Sequence, residues 1–223
     1  MNVRLEIVYK TAKGMEAEFS SNDMRVEEAI ALAEDLERTG RVKSVVFFDG
    51  RDRSWSLKEL RRFESEVEDE PHHVVVYFDG GYDKKSGEAG LGAAVYYEQN
   101  GRRWRVRRNE HGGVLASNNE AEYAALMLAA EELEAIGAGR LPITVRGDSQ
   151  VVINQLTGEW PVMDEKLNQW ADRIEAKWKE LGVEAVYELV TRKANQEADH
   201  LAGQAMKGVK MRSQIELDTS QGK

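Results

Sequence analysis

The sequence predicts an α/β protein in two parts: a small α+β domain, then a larger domain organised around a central strand. Three observations carry this reading. Val74-Val75-Val76-Tyr77-Phe78 is a continuous apolar run, as expected of a strand covered on both faces. Far upstream, Val3, Leu5 and Ile7 alternate with polar residues, the period of a half-buried strand. Between the two, Glu64, Glu66, Glu68, Asp69 and Glu70 precede Pro71. Like charges repel and proline disfavours helix in the residue before it, so a helix is predicted to end there and a linker to follow. The expected parts are a domain over 1–64, an acidic linker over 65–73, a domain over 74–208 and a C-terminal tail over 209–223.

In the first part, Lys13-Gly14 reads as a turn and Met15, Ala17 and Phe19 alternate again. Asn22 or Asp23 can cap a helix with the apolar stripe Val26, Ala29, Ile30, Ala33 and Leu36, ending near Gly40. Val45-Val46-Phe47-Phe48 is a short buried-type strand, and a second helix starts near Ser56. In the second part, strands over 92–98 and 103–112 flank Asn100-Gly101, a strong hairpin signal. A helix over 119–136, a strand over 143–146 and a helix over 150–157 follow. Leu167, Trp170, Ile174, Trp178 and Leu181 stripe a helix over 164–181, and a strand over 184–190 precedes a last helix over 195–206. The residues after 208 show little periodicity and read as a frayed tail.

Composition narrows the function classes. The 223 residues include no cysteine, which excludes a disulfide scaffold, a thiolate zinc site and a thiol nucleophile, and fits a reducing, cytoplasmic setting. The N-terminus lacks a long apolar segment, and no run reaches membrane-spanning length. No membrane partner is expected, and a monomer is the expected state. The formal charge of -9 is spread along the chain: -5 over 1–72, -5 over 73–208 and +1 over the remainder. It argues against coating nucleic acid by bulk attraction.

Four carboxylates stand at informative positions. Asp79 follows the apolar run and precedes Gly80-Gly81, placing an acid where another backbone can approach closely. Glu122 lies one turn into a helix, Asp148 sits between a strand and a helix, and Asp199 lies on the last helix. Taken singly, each has an ordinary structural reading: a turn cap for Asp79, a capping-box or solvent-facing acid for Glu122, an N-cap for Asp148, and a surface helical acid for Asp199. Taken together, two acids at strand ends and two on helices packing over those ends can converge. Crowded carboxylates repel unless cations hold them, and hard oxygen donors suit magnesium or manganese. A pair of such ions is a standard device for attack on a phosphodiester.

The motifs Tyr77-Phe78-Asp79-Gly80-Gly81, Ser117-Asn118-Asn119-Glu120-Ala121-Glu122-Tyr123, Arg146-Gly147-Asp148-Ser149-Gln150 and Asn195-Gln196-Glu197-Ala198-Asp199-His200-Leu201-Ala202 resemble ribonuclease H type 1 in order and spacing, across residues 74–206. The resemblance implies a five-stranded mixed sheet flanked by helices. It also implies an endoribonuclease that uses two divalent cations, Mg²⁺ or Mn²⁺, to cut the RNA strand of an RNA–DNA hybrid duplex, leaving 5′-phosphate and 3′-hydroxyl ends. On that resemblance Asp79, Glu122, Asp148 and Asp199 are the metal-site carboxylates, and Gly80, Ser117, Asn118, Asn119 and Gln150 are the substrate-contacting positions. Amides and hydroxyls suit contact with the minor groove and the 2′-hydroxyl. The alternative is a weakly active or inactive module that binds nucleic acid or protein.

The chain departs from the family pattern at several places. The loop Val190-Thr191-Arg192-Lys193-Ala194-Asn195 lacks the histidine many members carry, and Arg192 is the expected replacement, with a structural arginine as the rival reading. Tyr82-Asp83-Lys84-Lys85-Ser86-Gly87 replaces a glycine-rich turn. The basic insertion of some bacterial members is missing, and Trp160 in its place reads chiefly as a packing residue. Two other basic groups are candidates for gripping a duplex. One is Arg102, Arg103, Arg105, Arg107 and Arg108, where alternation puts Arg103, Arg105 and Arg107 opposite Trp104 and Val106. The other is Arg51, Arg53, Trp55, Lys58, Arg61 and Arg62. Both also read as ordinary solvated faces. The four histidines show no ligand spacing, and His200 reads as incidental beside Asp199.

Overall fold

The computed structural model describes residues 1–218 and divides the chain into two compact units, one over Met1–Asp69 and one beginning at Glu70. In the first, β1 (Asn2–Lys10) pairs with β2 (Glu16–Ser20), β3 (Met24–Arg25) and β4 (Val42–Asp49), all antiparallel. β5 (Ser54–Trp55) adds beyond β4. Helix α1 (Val26–Arg38) and helix α2 (Leu57–Asp69) complete the unit. Val3, Leu5, Ile7 and Phe47 meet Val26, Ala29, Ile30, Ala33 and Leu60 in its core. The predicted stripe of α1 is thus the buried one, but the helix starts later than Asn22 or Asp23 because β3 intervenes. The expected linker over 65–73 is mostly absent. α2 carries the acidic run as far as Asp69, and only Glu70 and Pro71 separate it from β6 (His72–Tyr82).

The second unit holds a six-stranded mixed sheet in the order β10-β9-β6-β7-β8-β11. Its strands are β6, β7 (Glu88–Gln99), β8 (Arg102–Val114), β9 (Ile143–Gly147), β10 (Ala185–Leu189) and β11 (Arg212–Leu217). β6 and β10 run parallel to β9, and the other pairings are antiparallel. Five strands match the expectation. The sixth, β11, forms from residues expected to be a tail and pairs along β8 from Arg108 to Arg103. Asn109 secures the approach to it: its amide donates to the carbonyls of Leu201 and Val209, and its Oδ1 accepts from the Met211 N–H at 2.6 Å. The rest of the expected tail, residues 219–223, lies outside the described residues.

Helix α3 (Asn118–Ala135), helix α4 (Gln150–Leu156) and helix α5 (Glu165–Leu181) contribute to the main core with β6, β7 and β9, and helix α6 (Gln196–Met206) crosses β6 and β7. The glycines of β7 explain how α6 lies so close. A Cβ at Gly92 would stand 2.3 Å from the Ala198 carbonyl oxygen, and one at Gly90 2.3 Å from that of Ala202. The predicted hairpin turn is present, with Asn100 and Gly101 at φ 54° and 67°. Asp164 caps α5 by accepting from the N–H groups of Lys166 and Leu167. Among the described residues, no helix is long and apolar enough to cross a membrane.

Candidate active site

The centre forms where β6 outlasts its neighbour. β9 pairs with β6 only as far as Tyr77, two residues before Asp79. Asp79 therefore lies within β6 rather than at its end, yet beyond its parallel partner. Asp148 follows directly on β9, so it lands in the gap that opens there. Above both, α3 approaches β6 at Gly80, where a Cβ would stand 2.3 Å from the Ala121 carbonyl carbon. Only glycine permits that approach, which brings Glu122 over the gap. The Gly80 N–H donates to Glu122 Oε2 at 3.1 Å.

The result is an acidic trio: Asp79, Glu122 and Asp148 each offer a carboxylate oxygen, all within 4.8 Å of one another. Asp79 and Glu122 are 8% and 6% exposed. Burial, then the neighbouring charges of Asp148 and Asp199, push Asp79 up to about 7. Burial, then the charges of Asp79 and Asp148, push Glu122 up to about 9. The Arg192 charge offsets only part of this at Asp79, and at Glu122 the only opposing groups are the Gly80 N–H and Asn118. Hard oxygen donors this closely gathered fit a divalent cation of the magnesium or manganese type. Asp199 stands beside the trio rather than within it, and its Oδ1 accepts from the Arg192 guanidinium at 2.7 Å.

The ordinary structural roles are filled by other residues. Ser149, not Asp148, caps α4 by accepting from the Val152 N–H. Ser117 caps α3 by accepting from the Glu120 N–H, and Glu120 returns the bond by accepting from the Ala116 N–H at 2.7 Å. The first-turn capping contacts therefore use Glu120 and not Glu122. Asn118 hydrogen-bonds Glu122. Asn119 lies half-buried in the same first turn, and Gln150 is exposed at the first position of α4. Ser117, Asn118, Asn119 and Gln150 thus fall on helix starts, and Gly80 is committed to packing and to Glu122.

Sequence reasoning passed over Asn195. It is fully buried, and its amide donates to the Phe78 carbonyl at 2.9 Å and to Asp148 Oδ1 at 2.7 Å. It ties the strand carrying Asp79 to Asp148. The signal lies in the motif over 195–202, where it stands four residues before Asp199 at the start of the last helix.

The two basic groups are largely occupied. Arg102 faces Glu216, Arg103 faces Glu98 and Arg105 faces Glu197. Arg107 donates to Ser213, and Arg108 is shared among Glu110, Glu131 and Glu132. Val106 is buried and Trp104 stacks on Tyr97, so the predicted alternation holds. In the first unit, Arg61 pairs with Glu34, Arg62 with Glu66, and Arg53 lies over Trp55. Trp160 is 42% exposed, so packing accounts for only part of its ring.

This strand order, with carboxylates from two adjacent parallel strands under the start of α3, defines a ribonuclease H-like domain. Comparison with known proteins agrees: the family described as "Reverse transcriptase-like" matches residues 77–205, more than half of the chain, and the chain belongs to that family through a ribonuclease H segment. The uncharacterized protein YpeP of Bacillus subtilis (strain 168) is 44% identical over 200 residues, covering 90% of this chain and 88% of that protein. The second unit alone is too short to hold that alignment, so the similarity reaches into the first unit. The crystal structure of RNase H1 from the archaeon Halobacterium salinarum NRC-1 matches with TM-score 0.52 and 30% identity, over 61% of this chain and 98% of that one. LC11-RNase H1, isolated from compost by a metagenomic approach, matches in its complex with an RNA/DNA hybrid with TM-score 0.53 and 27% identity, over 60% of this chain and 97% of that one. The class of chemistry is therefore that of a ribonuclease H enzyme.

Proposed function

We propose that the second unit hydrolyses the RNA strand of RNA–DNA hybrids and leaves 5′-phosphate and 3′-hydroxyl ends. The observation that carries this reading is the buried trio Asp79, Glu122 and Asp148, with too little positive charge of its own. In this proposal these three and Asp199 hold two divalent cations, Mg²⁺ or Mn²⁺. When bound, such ions activate the attacking water and stabilise the leaving oxygen. The chain's own residues set the geometry. Asn195 fixes Asp148, the Gly80 N–H fixes one oxygen of Glu122, and Asn118 steadies the same carboxylate. Arg192 keeps a positive charge beside Asp199, at the edge of the centre, where it can meet a phosphate. Ser117, Asn118, Asn119 and Gln150 cluster at helix starts and provide the hydroxyl and amide groups for minor-groove contact.

With most of the β8 arginines paired to acids, the grip on the duplex is weak and salt-sensitive, which fits the net charge of -9. A hybrid labelled on its RNA strand, incubated with Mg²⁺ or Mn²⁺, is the direct test. Cleavage of that strand alone, with products that ligate through a 5′-phosphate, is the expected result. Binding without cleavage at micromolar protein supports the rival reading, an inactive binding module.

A further inference from the structure

We propose that His72, His73 and Glu98 form a second cation site, chemically distinct from the carboxylate centre and selective for a zinc-like divalent ion. A ring nitrogen from each histidine and an oxygen from Glu98 all lie within 4.8 Å of one another. The histidines had shown no ligand spacing in the sequence because the third ligand comes from another strand. Glu98, near the end of β7, stands directly across from His72 at the start of β6.

The backbone is shaped to bring these groups together. Neighbouring residues of a regular strand point to opposite faces, so adjacent histidines should not share a ligand. Here the β6–β7 register shifts between His72 and Val75, a bulge. Within it, His73 adopts φ 51°, a conformation disfavoured for a residue with a Cβ. The two rings meet edge to face with centroids 4.9 Å apart. The strain is spent on gathering the rings.

Donor chemistry points the same way. His72 Nδ1 lies 3.0 Å from the Glu70 carbonyl oxygen. A carbonyl only accepts, so Nδ1 carries the proton, and in the neutral ring the lone pair is on Nε2. A ring nitrogen donating to a backbone carbonyl while the other is free is the usual arrangement behind a metal-bound histidine. His73 Nδ1 and Glu98 Oε2 are 3.2 Å apart. Ligands about 2.0–2.1 Å from a tetrahedral zinc stand at nearly this separation. Two imidazoles and one carboxylate suit zinc or its neighbours, whereas magnesium prefers oxygen donors. His72 is buried and His73 exposed, so the site has a fixed inner wall and an open outer side. The other Glu98 oxygen faces Arg103 only at 3.8 Å. Along β6, Asp79 lies seven residues from His72, roughly 23 Å at strand rise, so the two sites cannot share an ion.

The test uses the full chain carrying Asp79→Asn and Asp148→Asn, in excess Mg²⁺, titrated with Co²⁺ as a visible reporter. The expected result is one equivalent of Co²⁺ with the absorption of a low-coordinate nitrogen–oxygen site, displaced by one equivalent of Zn²⁺. Adding His73→Gly, which keeps the backbone at ease in its bulge, removes that signal, and Glu98→Gln weakens binding at least tenfold. Circular dichroism confirms that both variants are folded. Equal Co²⁺ binding with and without His73→Gly, or no binding in the parent, overturns the proposal.

Discussion

Helix α3 carries two buried glutamates ten residues apart, Glu122 and Glu132, 6% and 2% exposed. Their surroundings are opposite. Glu132 accepts from Arg108 at 3.1 Å and pairs with Arg212 at 3.3 Å, so the chain supplies its counter-charge. Glu122 faces Asp79 and Asp148, and its nearest help is one backbone N–H and one asparagine. Burying a carboxylate is costly in either place. At Glu132 the cost is met internally and ties β11 to α3. At Glu122 the chain leaves it largely unmet. A buried acid whose compensation has to come from outside the chain marks a site, whereas one already paired marks architecture.

The sharpest break of this comparison is to neutralise each acid in turn. Glu122→Gln or Asp148→Asn should lower hybrid cleavage by about 10³-fold or more, the scale of losing several kcal/mol of charge stabilisation. Glu132→Gln should leave the cleavage rate per folded molecule unchanged. Single-turnover assays on the three variants decide this, and equal losses at Glu122 and Glu132 would erase the distinction. Next in size is Asn195→Ala. It frees Asp148 and leaves the Phe78 carbonyl unpaired, with an expected loss of about 10–100-fold in divalent affinity or rate. The measurement is activity against Mg²⁺ concentration, where the midpoint should move to higher concentration.

Much of this was legible in the sequence, for reasons that differ by residue. β6 carries a strong apolar run, α5 a regular stripe, and Asn100-Gly101 a turn with few alternatives. The four carboxylates stand out because they sit in motifs. β11 was missed because Arg212-Ser213-Gln214-Ile215-Glu216-Leu217 forms an edge strand with little burial, so periodicity is faint. The acidic run over 64–70 suggested a break, yet α2 absorbs it, with Arg62 pairing to Glu66 one turn away. Asn195 does not stand out in this way, because an asparagine at a helix start and a buried tether look alike in one dimension. Partnership between elements distant in sequence, as at Glu132 or Glu98, leaves no local trace at all.

Glu132→Gln itself should cost stability, about 1–2 kcal/mol, since Arg108 keeps Glu110 and Glu131 and Arg212 is largely exposed. In a unit of this size, that lowers Tm by about 2–4 °C per kcal/mol.

The final prediction concerns pH. Asp79 and Glu122 titrate at about 7 and about 9 when folded, against about 4 when unfolded. The folded state therefore holds protons that the unfolded state gives up. Their contribution to stability is fully present below pH 4 and is lost as pH rises through 7 and then 9. In chelator, Tm should fall as pH rises across that window. A divalent cation competes with those protons, so its stabilising effect grows as the acids ionise. The Tm gain from Mg²⁺ or Mn²⁺ should be larger at pH 8.5 than at pH 5.5, and Glu122→Gln should flatten the difference while Glu132→Gln preserves it. A gain that is the same at both pH values in the parent chain would mean the trio is already balanced, and Glu122 would then be no different in kind from Glu132.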